Sequence, residues 1–293
     1  MFAARGYGEA IGHHGELLQG IFEDEDAHQL HRGLMSLPSR HLKSTATFEP
    51  NKSGKVTVSP ARCEKARRAA DLTLHVFSQI ETSGHLTIKS KIPVGRGMGS
   101  STADVLASIL AVLDHLGVDA PPDRVMEIAV RAETACDSTL FKQAVLFAHR
   151  EGIVIESFRR SLPPINLISI DTMADAIVDT LEFQPARYDR SEIEIFRPLR
   201  SLLRRAIKTS DPDLLGRVAT ASAWINERFL KKPRLEDIEA IGARYGAIGI
   251  QVAHSGTIVG IMFDPANKRT AENMELTSLH LRESGFEPTT FCH

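Results

Sequence analysis

The chain has 293 residues, 42% hydrophobic and 25% charged, a composition typical of a soluble globular protein with one large or two smaller domains. Its 35 basic and 37 acidic residues give a formal net charge of -2, which argues against nucleic acid or a membrane surface as the partner and favours a small molecule. The three cysteines, Cys63, Cys136 and Cys292, have neither zinc-site nor disulfide spacing and indicate a reducing, cytoplasmic location. The chain starts without the apolar stretch of a signal peptide, and no apolar run is long enough to span a bilayer.

The first segment with a distinctive pattern is GHHGELLQG, at residues 12–20. Its three glycines surround Glu16 and Gln19, and we interpret it as a turn whose polar side chains hold a small molecule. An ordinary surface turn is the alternative. The adjacent His13 and His14 have no acid or cysteine at the spacing of zinc ligands, so the pattern assigns them no metal.

A strand, a glycine-rich loop and a helix are predicted next. Residues 85–94 alternate apolar and polar side chains, which predicts a strand. Ser101 and Asp104 form an S-x-x-D helix start, and apolar residues then recur at helical spacing until Gly117. The loop between them, within PVGRGMGSSTAD at residues 93–104, places three glycines at alternate positions.

Such a strand–helix corner offers bare backbone N–H groups and the positive end of a helix, and both favour an anion such as phosphate. A side chain at Gly97 is expected to obstruct the phosphate, while hydroxyls at Ser100 and Ser101 can hold a phosphate oxygen or magnesium. The loop lacks the lysine of a Walker A motif and the spacing of a dinucleotide fingerprint, and a merely flexible loop stays an alternative. The candidate phosphate-binding residues are Pro93, Gly95, Arg96, Gly97, Met98, Gly99, Ser100, Ser101 and Thr102.

An acidic pair follows the next predicted helix, PPDRVMEIAVRAE, whose first turn suits Pro122. Glu133 and Asp137 are four residues apart and would share one face if the helix continued. Neighbouring carboxylates repel each other unless a cation lies near them, which favours a magnesium site. The alternative is a solvated helix end in which Asp137 caps the turn at residues 138–140.

The remaining pattern mixes strands and helices irregularly. It predicts a hairpin over residues 143–158 with Glu151 and Gly152 in its turn, a strand over 165–171 and a mostly helical stretch over 191–245. Two strands around a turn at residues 254–256 and a terminal helix over 270–285 complete the chain. This mixture favours an α+β fold in two lobes over a doubly wound sheet.

With glycine-rich segments near its start, middle and end, the chain resembles the GHMP kinases, named for galacto-, homoserine, mevalonate and phosphomevalonate kinases. PVGRGMGSSTAD is similar to the family's ATP-phosphate loop, P-x-x-x-G-x-G-S-S. The motifs GELLQG, SSTAD, ETACD and HSGT together resemble one branch, the L-threonine kinases of cobalamin side-chain synthesis. Two positions depart from that branch: His14 stands where a small residue is usual, and Gly99 where alanine is more common.

The resemblance implies a two-lobed α+β fold of the GHMP type, with an N-terminal lobe at residues 1–160 that carries the ATP-phosphate loop and a C-terminal lobe at residues 161–293. It implies ATP and Mg²⁺ as cofactors and the hydroxyl of L-threonine, or of a related amino-acid alcohol, as phosphoryl acceptor. The alternatives are a GHMP-type kinase of homoserine, an isoprenoid precursor or a sugar, and a non-catalytic nucleotide-binding module. The oligomeric state, a homodimer included, stays open.

The resemblance also implies roles for individual residues. Ser100, Ser101 and Glu133 would hold the metal. Asp137, with Glu133 and Ser101, would be catalytic and would accept or orient the hydroxyl proton. Glu16 would pair with the substrate's ammonium, and Arg96 or nearby amides with its carboxylate. The implied substrate-binding residues are His14, Gly15, Glu16, Gln19, His254, Ser255 and Gly256.

Overall fold

The computed structural model describes residues 4–24, 29–78, 82–174 and 186–291. Within these ranges the chain forms ten strands and seven helices. The strands are β1 (Gly6–Glu23), β2 (Leu30–Asn51), β3 (Val56–Ser59), β4 (Ser83–Ser90), β5 (Val145–Ala148), β6 (Ile153–Ser157), β7 (Asn166–Asp171), β8 (Gly249–Val252), β9 (Ile258–Phe263) and β10 (Pro288–Phe291). The helices are α1 (Glu64–Phe77), α2 (Ser100–Leu116), α3 (Pro122–Glu133), α4 (Arg190–Thr209), α5 (Pro212–Glu227), α6 (Leu235–Arg244) and α7 (Thr270–Glu283).

The strands form one sheet in the order β10-β7-β9-β8-β1-β2-β4-β3, and the β5–β6 hairpin is attached to β2. The long β1 and β2 pair antiparallel from Gly6 opposite Phe48 to Glu23 opposite Leu30, with irregular register around Gly12 and Glu16. At the second irregularity, Glu16 also pairs with Val252 of β8. The C-terminal strands therefore join the N-terminal ones at the position of Glu16.

Three hydrophobic clusters hold the helices to this sheet. The first packs α1, α2 and α3 on β1, β2 and β4, and the third packs α6 and α7 on β7, β8 and β9. The second contains Leu17 and Met35 from β1 and β2 together with Phe196 and Leu215 from α4 and α5. The α+β class is confirmed. The boundary at residue 160 stays a prediction, and the second cluster contains residues from both sides of it.

Most predicted elements are present, but three predictions near the candidate site were wrong. The segment at residues 12–20 lies inside β1 and is not a turn. Ser101 and Asp104 do not cap α2: the helix begins at Ser100 after Gly99, without a side-chain cap, and Asp104 instead accepts a hydrogen bond from Ser44. Helix α3 ends at Glu133 because Thr134 adopts a left-handed backbone with a φ of 81°, so Glu133 and Asp137 do not share a helix face.

The other differences concern the ends of elements. The strand predicted for residues 85–94 ends at Ser90, so the loop before α2 is longer than expected. Helix α7 is not the last element, because β10 follows it and pairs with β7. The hairpin, β7, the three helices between residues 190 and 244, and the turn between β8 and β9 are confirmed. In the described ranges, no helix combines the length and apolar character that crossing a bilayer demands.

Candidate active site

The three glycine-rich segments of the sequence meet at one place. The backbone N–H of His13 in β1 donates to the carbonyl of Met98 at 3.1 Å. A Cβ on Gly97 would lie 2.6 Å from the Cβ of Ala253 and 2.8 Å from the Cα of Gly256, in the turn between β8 and β9. The central loop is thus held between β1 and that turn, with no room for side chains at the contact.

The loop conformation depends on its glycines. Gly95, Gly97 and Gly99 have φ values of 74°, 77° and 73°, a left-handed region that other residues rarely adopt. The first turn of α2 has neither a side-chain cap nor an acidic residue, so its N–H groups remain available to an anion. A side chain at Gly97 would also collide with the turn, because its Cβ would lie 2.6 Å from the Cβ of Ala253; that it would obstruct the phosphate stays a prediction.

The acidic pair converges on the start of α2 although it does not share a helix. Thr102 Oγ1 lies 3.1 Å from Glu133 Oε2 and 3.2 Å from Asp137 Oδ2. Lys65 of α1 places Nζ 3.4 Å from Glu133 Oε1. Burial raises the pKa of the Glu133 carboxyl, against a hydrogen bond from Ser101 and the charge of Lys65, which lower it. Thr102 therefore connects the two acids at the N-terminus of the helix.

Asp137 is paired with a buried histidine. His13, only 2% exposed, places Nε2 3.0 Å from Asp137 Oδ2. Burial alone would raise the pKa of Asp137, but the charge and hydrogen bond of His13 hold it well below its usual range. Burial likewise would lower the pKa of His13, but Asp137 and Glu16 raise it to about 9. At neutral pH the pair is an imidazolium and an ionised carboxylate.

Glu16 extends this pair into a chain of four groups. Its Oε2 accepts a hydrogen bond of 2.6 Å from the backbone N–H of His254. Its Oε1 lies 3.3 Å from His254 Nδ1 and 3.4 Å from His13 Nδ1. Burial would lower the pKa of His254, but Glu16 raises it. Asp137, His13, Glu16 and His254 therefore form a buried row in which carboxylates and imidazoles alternate.

The same row brings ligand-type atoms together that the sequence keeps apart. One atom each from His13, Glu16 and Asp137 lies within 4.8 Å of the others, so two acids approach His13, although the sequence spacing showed no acid near it. A metal there would have to displace the proton that the raised pKa places on His13. We therefore interpret this group as a set of ion pairs.

A cavity adjoins the row on the side of His254. Three residues expected to bind substrate, Gln19, His254 and Ser255, line it. Lys232 and Arg32 line it as well, and both were missed from the sequence. Polar and cationic groups therefore line this cavity, whose lining includes neither Asp137 nor His13.

Two family models match the chain. The one described as GHMP kinases N terminal domain matches residues 64–142, and the one described as GHMP kinases C terminal matches residues 203–275. Together these segments make up just over half of the sequence. The chain belongs to the GHMP kinases.

Individual relatives of this GHMP kinase agree with the family. It is 28% identical over 254 residues to the L-threonine kinase of Salmonella typhimurium, an alignment that covers 85% of this chain and 80% of that protein. It is 23% identical over 210 residues to the homoserine kinase of Moorella thermoacetica, covering 70% and 71%. The crystal structure of homoserine kinase from Cytophaga hutchinsonii has the same fold, with a TM-score of 0.69 at 14% identity over 97% of this chain and 93% of that one.

Family membership identifies this GHMP kinase as an ATP-dependent phosphotransferase that acts on an alcohol group of a small molecule. The left-handed glycines and the uncapped start of α2 fit the phosphates of ATP, since both leave backbone N–H groups exposed to an anion.

Some residues expected at the site are placed elsewhere. His14 packs its ring edge against Phe291, 5.4 Å between centroids, and its Nδ1 faces the side-chain amide of Gln251, so the structure does not bring it to the cavity. Arg96 pairs with Asp171 at 3.1 Å, at the end of β7. Glu16 is buried between two histidines and is not among the residues that line the cavity. Among the glycines, Gly15 has a φ of 65° beside Gln251.

The remaining loop residues surround the glycines. Pro93 is exposed, Met98 is buried, and Ser100 and Ser101 are half-buried at the helix start. Gly256 faces the carbonyl of Arg96, where a Cβ would lie 2.1 Å from the oxygen. No sequence pattern assigned a role at the site to His13, Lys65, Arg32 or Lys232, because each reaches the site from an element that only the fold brings close.

Proposed function

We propose that this GHMP kinase transfers the γ-phosphoryl group of ATP to the hydroxyl of L-threonine or a close amino-acid alcohol. The observation that carries the proposal is the ionised Asp137 beside the phosphate loop: a Cβ on Gly99 would lie 3.3 Å from Asp137 Oδ2. An acceptor that extends from the cavity past His254, whose charge acts on Asp137, would place its hydroxyl at this carboxylate next to the helix start. The similarity to L-threonine kinases favours an amino-acid acceptor.

Asp137 is better suited to orient the hydroxyl than to deprotonate it early. Because the pKa of Asp137 lies well below its usual range, its carboxylate is a weak base. Phosphoryl transfer passes through a loose transition state that needs positioning and charge stabilisation more than a strong base. In this proposal the carboxylate accepts a hydrogen bond from the hydroxyl and takes the proton late, as the bond to phosphorus forms.

Glu133, Ser100 and Ser101 fit a magnesium ion. Magnesium prefers oxygen ligands, and one carboxylate with hydroxyls and phosphate oxygens is a usual set. Burial raises the pKa of Glu133 despite Lys65 and Ser101, so its negative charge is incompletely compensated. When bound, Mg²⁺ would neutralise charge on the transferred phosphoryl group. We propose these three residues as its protein ligands.

The test is a kinase assay with L-threonine, L-serine, homoserine, mevalonate and a sugar panel as acceptors, at several Mg²⁺ concentrations. We expect L-threonine or a close amino-acid alcohol to have the highest kcat/KM. Glu133→Gln should lower turnover about a hundredfold or more and raise the Mg²⁺ requirement, because a positioned charge is lost. The exposed Glu127→Gln on the same helix is the matched control.

Preference for mevalonate or a sugar would refute the amino-acid acceptor and leave the kinase assignment intact. Full activity of Glu133→Gln at low Mg²⁺ would refute the metal site. A role in cobalamin side-chain synthesis follows only if L-threonine is the acceptor.

A further inference from the structure

A lysine is buried in the wall of the cavity without a counter-ion. Lys232, in the segment between α5 and α6, is 2% exposed. Its Nζ donates to the carbonyl of Leu230 at 3.1 Å, and no carboxylate of the described residues forms an ion pair with it. An ammonium has three donors, so this contact leaves most of its hydrogen-bonding capacity unused.

The nearest acid does not neutralise this charge. The carboxylate of Glu227 accepts two hydrogen bonds from the backbone N–H of Lys232, at 2.9 and 3.0 Å, which fixes the backbone and not the ammonium. Burial lowers the pKa of Lys232 to about 8, although Glu227 and Glu16 raise it. Burying a charge without a partner is unfavourable, so a ligand with the opposite charge is favoured here.

The rest of the cavity has the same sign. Arg32 and Arg150 also line it, whereas the described residues of its lining include no aspartate or glutamate. Tyr188, another lining residue, donates its hydroxyl to Asn226 at 2.6 Å and adds no negative charge. The cavity therefore favours an anionic group on the acceptor.

We propose that Lys232 binds the carboxylate of the acceptor and so makes this kinase specific for alcohols that bear an anionic group. The proposal rests on the proposed function for the position of the acceptor, but it does not require that the acceptor be L-threonine. It assigns the recognition of the carboxylate to Lys232, where the sequence had suggested Arg96 or the amides near Gly15 or Gly256.

The test compares L-threonine with L-threoninamide, which keeps the amine and hydroxyl but loses the carboxylate charge. We expect the wild-type kcat/KM for the amide to be at least about 100-fold lower, because a buried charged group is left unpaired. Lys232→Met should lower kcat/KM for L-threonine by a similar factor, mainly through KM. The same substitution should change kcat/KM for L-threoninamide by less than about threefold, so the preference for L-threonine over its amide disappears.

Three controls separate the possible causes. The exposed neighbour Lys231→Met should keep the wild-type discrimination. Lys232→Arg, which retains the charge, should keep part of the preference for L-threonine over its amide. The KM for ATP should stay unchanged in Lys232→Met, and a large rise would instead assign Lys232 to the phosphates of ATP and overturn the proposal.

Thermal unfolding checks that the variants fold. Lys232→Met should melt at the wild-type temperature or higher, since it removes an unpaired buried charge. Stabilisation by added L-threonine, but not by L-threoninamide, should be seen in wild type and lost in the variant. If the variant does not fold, the wild-type comparison and Lys232→Arg decide the question.

The outcomes distinguish this proposal from the proposed function. If L-threonine is phosphorylated and folded Lys232→Met still prefers it to the amide, the role of Lys232 is wrong and the threonine kinase stands. If another hydroxy acid of the panel is the acceptor, the same comparison is made with that acid and its amide. If Lys232→Met lost the preference for that acid over its amide, the role of Lys232 would be supported, while L-threonine would be refuted as the acceptor.

Discussion

His13 lies close to three groups of the site, although the sequence assigned it no role. It contacts Asp137 through Nε2 and faces Glu16 and the carbonyl of Gly15 through Nδ1. Because it is buried, its charge is not screened by water, and the two carboxylates hold the proton on the ring. In this position it keeps Asp137 ionised and fixes the direction of its carboxylate.

The first prediction concerns the pH dependence of stability. The pKa of His13 is raised from 6.5 in the unfolded chain to about 9, so the folded state binds this proton more tightly. Its contribution is fully present below pH 6.5 and is lost as the pH rises through about 9. The unfolding free energy of wild type should exceed that of His13→Gln by on the order of 3 kcal/mol below pH 6.5, and by little above pH 9.

Denaturant unfolding of both proteins from pH 6 to pH 10 measures this difference. His75→Gln, which replaces an exposed histidine on α1, is the matched control. A constant difference between wild type and His13→Gln across the range would mean that His13 is neutral in the folded protein.

At the scale of elements, local patterns were predictable and tertiary placement was not. Helices α2 and α3 follow from apolar spacing and from Gly117 and Pro122, which act within a few residues. The long strands β1 and β2 were missed, because bulges interrupt their alternation and the glycines of β1 suggest a turn. Those glycines instead serve close packing: a Cβ on Gly12 would lie 2.5 Å from the carbonyl oxygen of Met98.

For the candidate site, too, local motifs were predictable from the sequence and tertiary contacts were not. The phosphate loop and the acids could be identified from motifs, since their residues are close in sequence. The contact between Thr102 and both acids could not, because Thr134 ends α3 and redirects the chain. Lys232 and His13 reach the site from opposite ends of the sequence, and no local pattern marks a contact of that kind.

The second prediction concerns the packing of the phosphate loop. Gly97 and Gly54 both have left-handed backbones, with φ of 77° and 75°, but only Gly97 is in a crowded place. Gly54→Ala should cost about 1–2 kcal/mol of unfolding free energy from backbone strain alone. Gly97→Ala should cost clearly more, about 3 kcal/mol or above, because its Cβ overlaps Ala253 and Gly256.

Denaturant unfolding of the two alanine variants compares these costs. The shift in melting temperature on adding ATP shows whether the loop still binds phosphate. Equal losses of unfolding free energy in the two variants would mean that the loop can move away from the turn, contrary to the close contact of Gly97 with Ala253 and Gly256.

At the scale of the whole molecule, the active site depends on the junction between the N-terminal and C-terminal strands. Glu16 pairs with Val252 there, and its carboxylate accepts from His254 in the following turn. The second hydrophobic cluster supports this junction. Phe196 of α4 lies against Gly20 of β1, where a Cβ would be 2.5 Å from its ring, and its centroid is 5.6 Å from that of Phe22.

The third prediction is that the chain unfolds as one cooperative unit. Phe48, fully buried under α2, belongs to the first cluster, and Phe196 to the second. Each substitution to alanine should lower the unfolding free energy by about 3–5 kcal/mol. Trp224, the single tryptophan, reports on α5, and amide hydrogen exchange of α2 reports on the N-terminal side. Both probes should shift equally in both variants, because the shared sheet and second cluster couple the two sides.

If Phe48→Ala shifted only the exchange of α2 and left the Trp224 transition unchanged, residues 1–160 would be an independent folding unit. The Glu16–His254 contact would then be an interface between two domains, able to open without unfolding either one.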